Sequence, residues 1–322
     1  MSDVLLIYPP YTWEMKHPPI GLAYIAAVLE RAKFSVALCD MNPLRLAVED
    51  IADVIREYSP KIIGLSSMTP QISIVHRIAE VAKSIDRSIH VVVGGPHTSA
   101  LPEETLRQYP SFDSAAAGEG EMLMCDLAKT IIEGRSDLSH ITGLSFRRGD
   151  AIHTSSQRAS DLDIESLPFP AWHRLPMEKY SVPGYGAKVN RRTHVMLTSR
   201  ACPYHCVFCD SHSIFGRTFR SRSPENIIEE MELLNRKYGI NQFDFADDMI
   251  TVNRKWLVSL CETMIQAGIP KKISWMANAR VNTVDPELLR ILREAGCMRV
   301  DYGVESGDPK VLKAIKKNTT IE

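Results

Sequence analysis

The chain has 322 residues, of which 44% are hydrophobic and 24% charged, a globular balance long enough for two cores. A formal net charge of −1 leaves out the basic field of a nucleic-acid binder, and no apolar run reaches the ~20 residues that span a bilayer. Seven cysteines, an odd number, and an N-terminus without a basic leader or small-residue cleavage site argue against a disulfide framework, so the chain reads as soluble, reduced and cytoplasmic.

Strand and helix patterns alternate from residue 1 to about 135. "VLLIY" (4–8) is a short apolar run, and "GLAYIAAVLERAK" (21–33) sets Leu22, Ile25, Ala26 and Leu29 on one helical face. "SVALCD" (35–40) reads as a strand, and "PLRLAVEDIADVIREY" (43–58) as a helix through Leu44, Ala47, Val48, Ile51 and Ile55. Then follow "KIIGLSS" (61–67), a helix near 70–85, "IHVVVGG" (89–95), a helix near 102–109, "FDSAAAGEGE" (112–121) and a helix to about 133. Five continuous apolar strands interleaved with helices predict a doubly wound parallel sheet, Rossmann- or flavodoxin-like, with both faces covered.

"ITGLSFRRGDAIHT" (141–154) predicts a hairpin turning at Gly149-Asp150. Beyond it, Pro168, Pro170, Pro176 and Pro183 forbid regular helix or central strand and predict an ordered or semi-rigid linker between domains. The expected division is a first domain over 1–140, hairpin and linker over 141–190, and a second domain over 191–322. There, "HVMLTSR" predicts a strand, and Ser223, Pro224 and Gly239 mark the ends of a helix. "INQFDFADD", "KISWMANARV" and "MRVDYGVES" predict three more strands separated by helices, with a last helix at "DPKVLKAIKK".

The stretch "SRACPYHCVFCD" (199–210) sets Cys202, Cys206 and Cys209 directly after a predicted strand, the end at which parallel barrels carry their active sites. Two chemistries suit three thiols so spaced. They hold three corners of an iron–sulfur cube and leave one iron open to a small molecule, or they bind structural zinc with His205 or His212 as fourth ligand. A zinc site generally pairs two ligand doublets, and no second doublet is present.

"CPYHCVFC", with its aromatic Phe208, resembles the signature of the radical S-adenosylmethionine superfamily. The resemblance implies a 4Fe-4S cluster on Cys202, Cys206 and Cys209, whose open iron chelates S-adenosylmethionine and whose electron cleaves it to a 5′-deoxyadenosyl radical. It nominates Asp247 and Asp248 of "FADD" for the amine, Arg280 of "NARVNT" for the carboxylate and Glu305 of "YGVESG" for the ribose hydroxyls. It also implies a partial barrel, truncated here in the fourth of six strand–helix units, which would leave sheet edges unpaired.

The ends of the first-domain strands are small or hydroxylic, and sheets of this class bind ligands there. Together, "PPIGLAYIAAVLE", "IIGLSSMT", "VVVGGPHTSALPEE" and "AAAGEGE" resemble the cobalamin-binding domain of cobalamin-dependent radical S-adenosylmethionine enzymes, and the resemblance runs over essentially the whole chain. It nominates Ser66, Ser67, Thr69, Gly94, Gly95, Pro96, His97, Gly118, Glu119 and Gly120 as cobalamin contacts, with Tyr180 or Tyr185 lining the cleft. The Asp-x-His-x-x-Gly pattern of many cobalamin proteins is missing. His17 stands near its place without the Asp partner, which implies a lower cobalt face without a histidine ligand.

The activity implied is methyl transfer to an unactivated carbon of a small molecule or lipid, with a flavodoxin or ferredoxin as electron donor and neither nucleic acid nor a transmembrane segment involved. The alternatives are a cobalamin-dependent radical cyclase or rearrangement enzyme, and a non-catalytic cobalamin or redox module. A methylthiotransferase is disfavoured, because its second cluster needs more thiols than Cys39 and Cys125 supply in the first half.

Overall fold

In the computed structural model, residues 2–11, 17–155, 162–180 and 192–321 are described. The chain divides into two compact units, one of residues 1–162 and 167–180 and one of residues 163–166 and 181–322.

The first unit runs β1 (Val4–Tyr8), α1 (Ile20–Arg31), β2 (Val36–Asp40), α2 (Met41–Leu44), α3 (Ile51–Tyr58), β3 (Ile62–Ser66), α4 (Ile72–Ile85), β4 (His90–Gly94), α5 (Pro96–Ala100), α6 (Pro102–Gln108), β5 (Ser114–Ala116), α7 (Gly120–Ile132), β6 (Leu144–Arg148) and β7 (Ala151–Thr154). The sheet order is β2-β1-β3-β4-β5-β6-β7, parallel through β5 and antiparallel beyond it. Order 2-1-3-4-5 is the flavodoxin-like winding, with its switch point between β1 and β3. Leu5, Ile7, Ile63 and Val91 face one buried layer with Ile51, Val75 and Ile78. Val4, Leu6, Ile62 and Val92 face the other, with Ala26, Leu29, Leu123 and Leu127.

Two expectations are corrected. The single helix over 43–58 is two, because Arg45 turns left-handed (φ 54°) and the Asp50 carboxylate accepts from the Ala47 amide, closing a turn between them. The hairpin is no part of a linker, since β6 pairs with β5 and extends the first sheet. Residues 167–180 are ordered on the first unit. Ala171 donates to the Ala23 carbonyl, Trp172 is buried, and the buried Tyr180 hydroxyl donates to Asp40 at 2.7 Å. Tyr185 lies outside the described residues.

The second unit contains β8 (Thr193–Met196), β9 (Ser199–Arg200), α8 (Ser211–Phe215), β10 (Arg220–Ser221), α9 (Pro224–Tyr238), β11 (Gln242–Phe245), α10 (Arg254–Gln266), β12 (Ser274–Ala279), α11 (Pro286–Glu294), β13 (Cys297–Tyr302) and α12 (Pro309–Ala314). Its main sheet is wholly parallel, in the order β13-β12-β11-β8. α9 begins and ends where the sequence signals place it: Ser223 Oγ accepts from the Asn226 amide, and Gly239 closes the helix left-handed. Phe243, Phe245 and Trp275 form the centre of its core, the last two stacked at 5.1 Å between centroids. No described helix is long and apolar enough to cross a membrane.

Candidate cofactor sites

In the second unit the cysteine loop leaves the sheet after β8 and is closed at its base by the antiparallel β9–β10 ladder. Inside it, Arg200 lies over the Phe215 ring, Arg217 donates to the Tyr204 carbonyl and Arg220 to the Phe215 carbonyl. Cys202 and Cys206 are half-buried and Cys209 exposed, as are Val207 and Phe208. Burial pushes the Cys202 thiol up, and Asp248, Cys209 and Cys206 add to this through their charge.

Arg280, at the end of β12, is 5% exposed. Its guanidinium lies 3.9 Å from the Tyr204 ring centroid, Nη1 is 3.6 Å from Cys206 Sγ, and Nε meets Asn282 at 3.4 Å. Nη2 is buried without an acceptor. Among the described residues, no carboxylate pairs with this cation.

Asp247 and Asp248 follow β11 and point to different environments. Asp247 is fully buried and accepts from the Thr198 amide at 2.7 Å, from the Thr198 hydroxyl and from Ser199 Oγ at 2.9 Å. It therefore pins the segment that leads into the cysteine loop. Three of its acceptor positions are used by these donors. Burial pushes its pKa up to about 6 against those hydrogen bonds. Asp248 is exposed and accepts from Ser211 Oγ. Glu305, after β13, is left-handed (φ 63°) and accepts from Lys317 Nζ at 3.0 Å.

Sequence reasoning missed Thr198, Tyr204 and Lys317. Lys317 is 6% exposed, although the run "KAIKK" reads as a solvated helix end. Nothing in the sequence marks a buried lysine.

The donor set fits an iron–sulfur cluster: three soft thiols on one open loop, with a buried guanidinium against one of them to balance thiolate charge. Among the described residues no three His, Cys, Asp or Glu side chains converge on one ion.

In the first unit the nominated residues gather at the carboxyl ends of β3, β4 and β5. The Ser67 amide donates to the Gly94 carbonyl at 2.8 Å, and the His97 amide to the Ser67 carbonyl at 3.2 Å. Gly95 has φ 100°, and a Cβ there would meet Ser67 O at 2.8 Å, so only glycine lets the two loops touch. His97 is held through Nδ1 by Thr69 Oγ1 at 3.1 Å, and burial lowers its pKa. Ser66, Gly94, Gly95, Pro96 and Gly118 remain partly or fully exposed, a floor of small groups that admits close approach by a flat ligand. Glu119 is buried beneath it.

Two nominations are corrected. Ser67 is fully buried and its hydroxyl donates to the Met68 carbonyl, so it shapes the turn from within. A Cβ on Gly120 would meet Ile25 Cδ1 at 2.9 Å, so this glycine serves the packing of α7 on α1. Beside the site, Asp40 is buried and accepts from Asn42 and Tyr180, while Tyr8 and Tyr11 share a 2.5 Å hydroxyl contact.

Comparison with known proteins agrees with both halves. Residues 12–128 match the B12 binding domain family and residues 196–322 the Radical SAM superfamily. An uncharacterized methyltransferase of Pyrococcus horikoshii is 35% identical over 99% of this chain and 69% of its own length. The anaerobic magnesium-protoporphyrin IX monomethyl ester cyclase of Cereibacter sphaeroides is 29% identical over 94% of this chain and 50% of its own length. The radical S-adenosylmethionine methyltransferase TsrM from Kitasatospora setae, solved with tryptophan substrate and a S-adenosylmethionine analogue, has a TM-score of 0.80 at 20% identity, covering 99% of this chain and 63% of that one. The chain thus spans half to about two thirds of the length of these proteins. Identity over nearly the whole chain, with a B12 binding match followed by a Radical SAM match, places this chain in the cobalamin-binding radical S-adenosylmethionine family.

Proposed function

We propose that this chain supplies the cofactor-bearing part of an enzyme that transfers a methyl group to an unactivated carbon of a small molecule or lipid. The observation that carries this reading is Arg280, a buried cation with a free donor, set against Cys206 and lacking any carboxylate among the described residues. A guanidinium is always charged, and its desolvation costs several kcal/mol unless an anion pairs with it. A methionyl carboxylate beside a cluster on Cys202, Cys206 and Cys209 is such an anion.

In this reading Phe208 flanks the bound S-adenosylmethionine, Asp248 is left to meet its amine, and Glu305, held by Lys317, meets its ribose. Asp247 acts through Thr198 and Ser199 by fixing the entry to the loop. Ser66, Thr69, Gly94, Gly95, Pro96, His97, Gly118 and Glu119 form the bed of the corrinoid. When bound, the cluster supplies one electron for cleavage of S-adenosylmethionine and the corrinoid carries the methyl group. A methyltransferase name on the Pyrococcus relative and on the Kitasatospora structure supports methyl transfer over other outcomes. The electron donor is a flavodoxin or ferredoxin, and the setting is the cytoplasm, in keeping with seven unpaired thiols.

The match to a cyclase along 94% of the chain favours a second reading, radical cyclisation without methyl transfer. Anaerobic reconstitution with iron, sulfide and hydroxocobalamin, followed by reduction with S-adenosylmethionine present, separates the two. S-adenosylhomocysteine together with 5′-deoxyadenosine supports methyl transfer; 5′-deoxyadenosine alone supports cyclisation. Absence of both, with Cys206→Ala showing the same visible absorption as the parent, refutes radical chemistry altogether.

A further inference from the structure

We propose that the turn 315–318, through Lys317, is the positioning hub that sets three separate contacts of the S-adenosylmethionine site in register. This rests on the reading of that site given above. α12 ends at Ala314, and the next residues leave it in a strained path, with Lys316 (φ 53°) and Asn318 (φ 55°) both left-handed. That path turns the Lys317 side chain inward, where it is 8% exposed.

Three bonds then spread from this turn. The Ile315 carbonyl accepts from the Val207 amide at 3.1 Å, which ties down the cysteine loop between Cys206 and Cys209. Lys317 Nζ donates to Glu305 at 3.0 Å and lies 5.8 Å from the centroid of the Phe208 ring. The Asn318 carbonyl accepts from Asn282 at 3.3 Å, and Asn282 in turn accepts from Arg280 Nε. Phe208, Glu305 and Arg280 belong to three different strand-end loops, and this one turn bonds to each loop. Gly303 lies against the pair: a Cβ there would come within 2.7 Å of Glu305 Oε1 and 2.8 Å of Lys317 Nζ, so a side chain at this position would push the pair aside.

A buried ammonium without its partner is costly, so Lys317 and Glu305 hold each other in place. The exposed carboxylate alone would swing freely at a left-handed residue. Lys317 does not touch the reacting atoms in this scheme; it acts through Glu305 and through the loop.

The test uses the full chain and two readouts. In Lys317→Met, hydrogen exchange at the Val207 amide should quicken about tenfold or more while amides of β12 keep their protection, and Lys317→Arg should restore the parent rate. In cluster-loaded protein of unchanged iron content, the same Met variant should bind S-adenosylmethionine about tenfold more weakly, with Lys317→Arg close to the parent. Unchanged exchange at Val207, or unchanged affinity in a protein that does bind S-adenosylmethionine, overturns the proposal. Should Lys317→Met fail to fold, Phe208→Leu on the exposed loop decides: faster exchange at Val207 supports the hub and an unchanged rate overturns it. A parent protein that binds no S-adenosylmethionine overturns the assigned function instead, and the exchange result then decides the hub by itself.

Discussion

Gly94 and Gly95 stand side by side after β4, yet a methyl group added to each should have opposite consequences. At Gly95 the backbone has φ 100° and ψ −171°, a region closed to other residues at a cost of about 1–3 kcal/mol. The added Cβ also meets backbone, Ser67 O at 2.8 Å and Ser67 N at 3.0 Å, and neither atom yields without moving the end of β3. Overpacking of that kind adds about 1–3 kcal/mol, and the lower entropy of the unfolded alanine chain returns about 0.4–1 kcal/mol. Gly95→Ala should therefore lose about 3 kcal/mol. For a unit of this size that lowers its melting midpoint by about 6–12 °C. At Gly94 the Cβ meets only Ala116 Cβ at 3.7 Å, an ordinary contact, so Gly94→Ala should be neutral or slightly stabilising. Scanning calorimetry of the two variants compares them directly, and hydroxocobalamin titration shows whether the bed survives. Equal melting of Gly95→Ala and the parent, or an equal fall in both variants, refutes the steric argument.

Three further outcomes are expected. Asp247 holds its proton more tightly folded, at about 6, than its ordinary 3.8, so the folded state is penalised above pH 6 and gains about 3 kcal/mol as pH falls from 7 towards 4; Asp247→Asn should remove that component, read as the difference between the unfolding profiles of variant and parent. Arg222 and Glu230 form a 2.5 Å pair that is 4% and 0% exposed, so Glu230→Gln should cost about 3–5 kcal/mol in urea unfolding, while replacing both by Met and Leu should recover most of it. Arg280→Met should keep the iron bound by the cysteines yet weaken S-adenosylmethionine binding at least about tenfold, measured by equilibrium dialysis under argon.

The alternation of apolar runs with amphipathic helices was enough to place most of the strands, because β1 to β5 and the main sheet of the second unit are parallel and bury long apolar runs. The cysteine spacing located one site, since three thiols close in sequence must also lie close in space. What stayed hidden is whatever depends on where a polar side chain turns. "FADD" presents two aspartates that look alike, and only the fold reveals that Asp247 faces inward to Thr198 while Asp248 faces out. "AGEGE" shows two glycines, and only the approach of α1 explains why the second is a packing residue. The helix over 43–58 failed for a local reason: an Asp side chain bonded to a nearby amide competes with the helical ladder, and periodicity does not register it.

The hydrogen bonds of the neighbouring acids show how the fold leaves the Arg280 guanidinium without a carboxylate among the described residues. Asp247 and Asp248 follow the adjacent strand β11. Asp247 is engaged by Thr198 and Ser199, and Asp248 by Ser211. Asn278, on β12 itself, donates to the Asp247 carbonyl and brings no charge. Glu305, the remaining nominated acid, is bound to Lys317. Each carboxylate nominated for the site has a partner of its own, and Arg280 is left facing a thiol and an aromatic ring. In a domain selected for stability alone, a salt bridge or an apolar replacement would close this gap. An arrangement that gives Arg280 a thiol but no carboxylate makes sense when a carboxylate arrives from outside, and then its binding energy is available to orient that ligand against the cysteine loop.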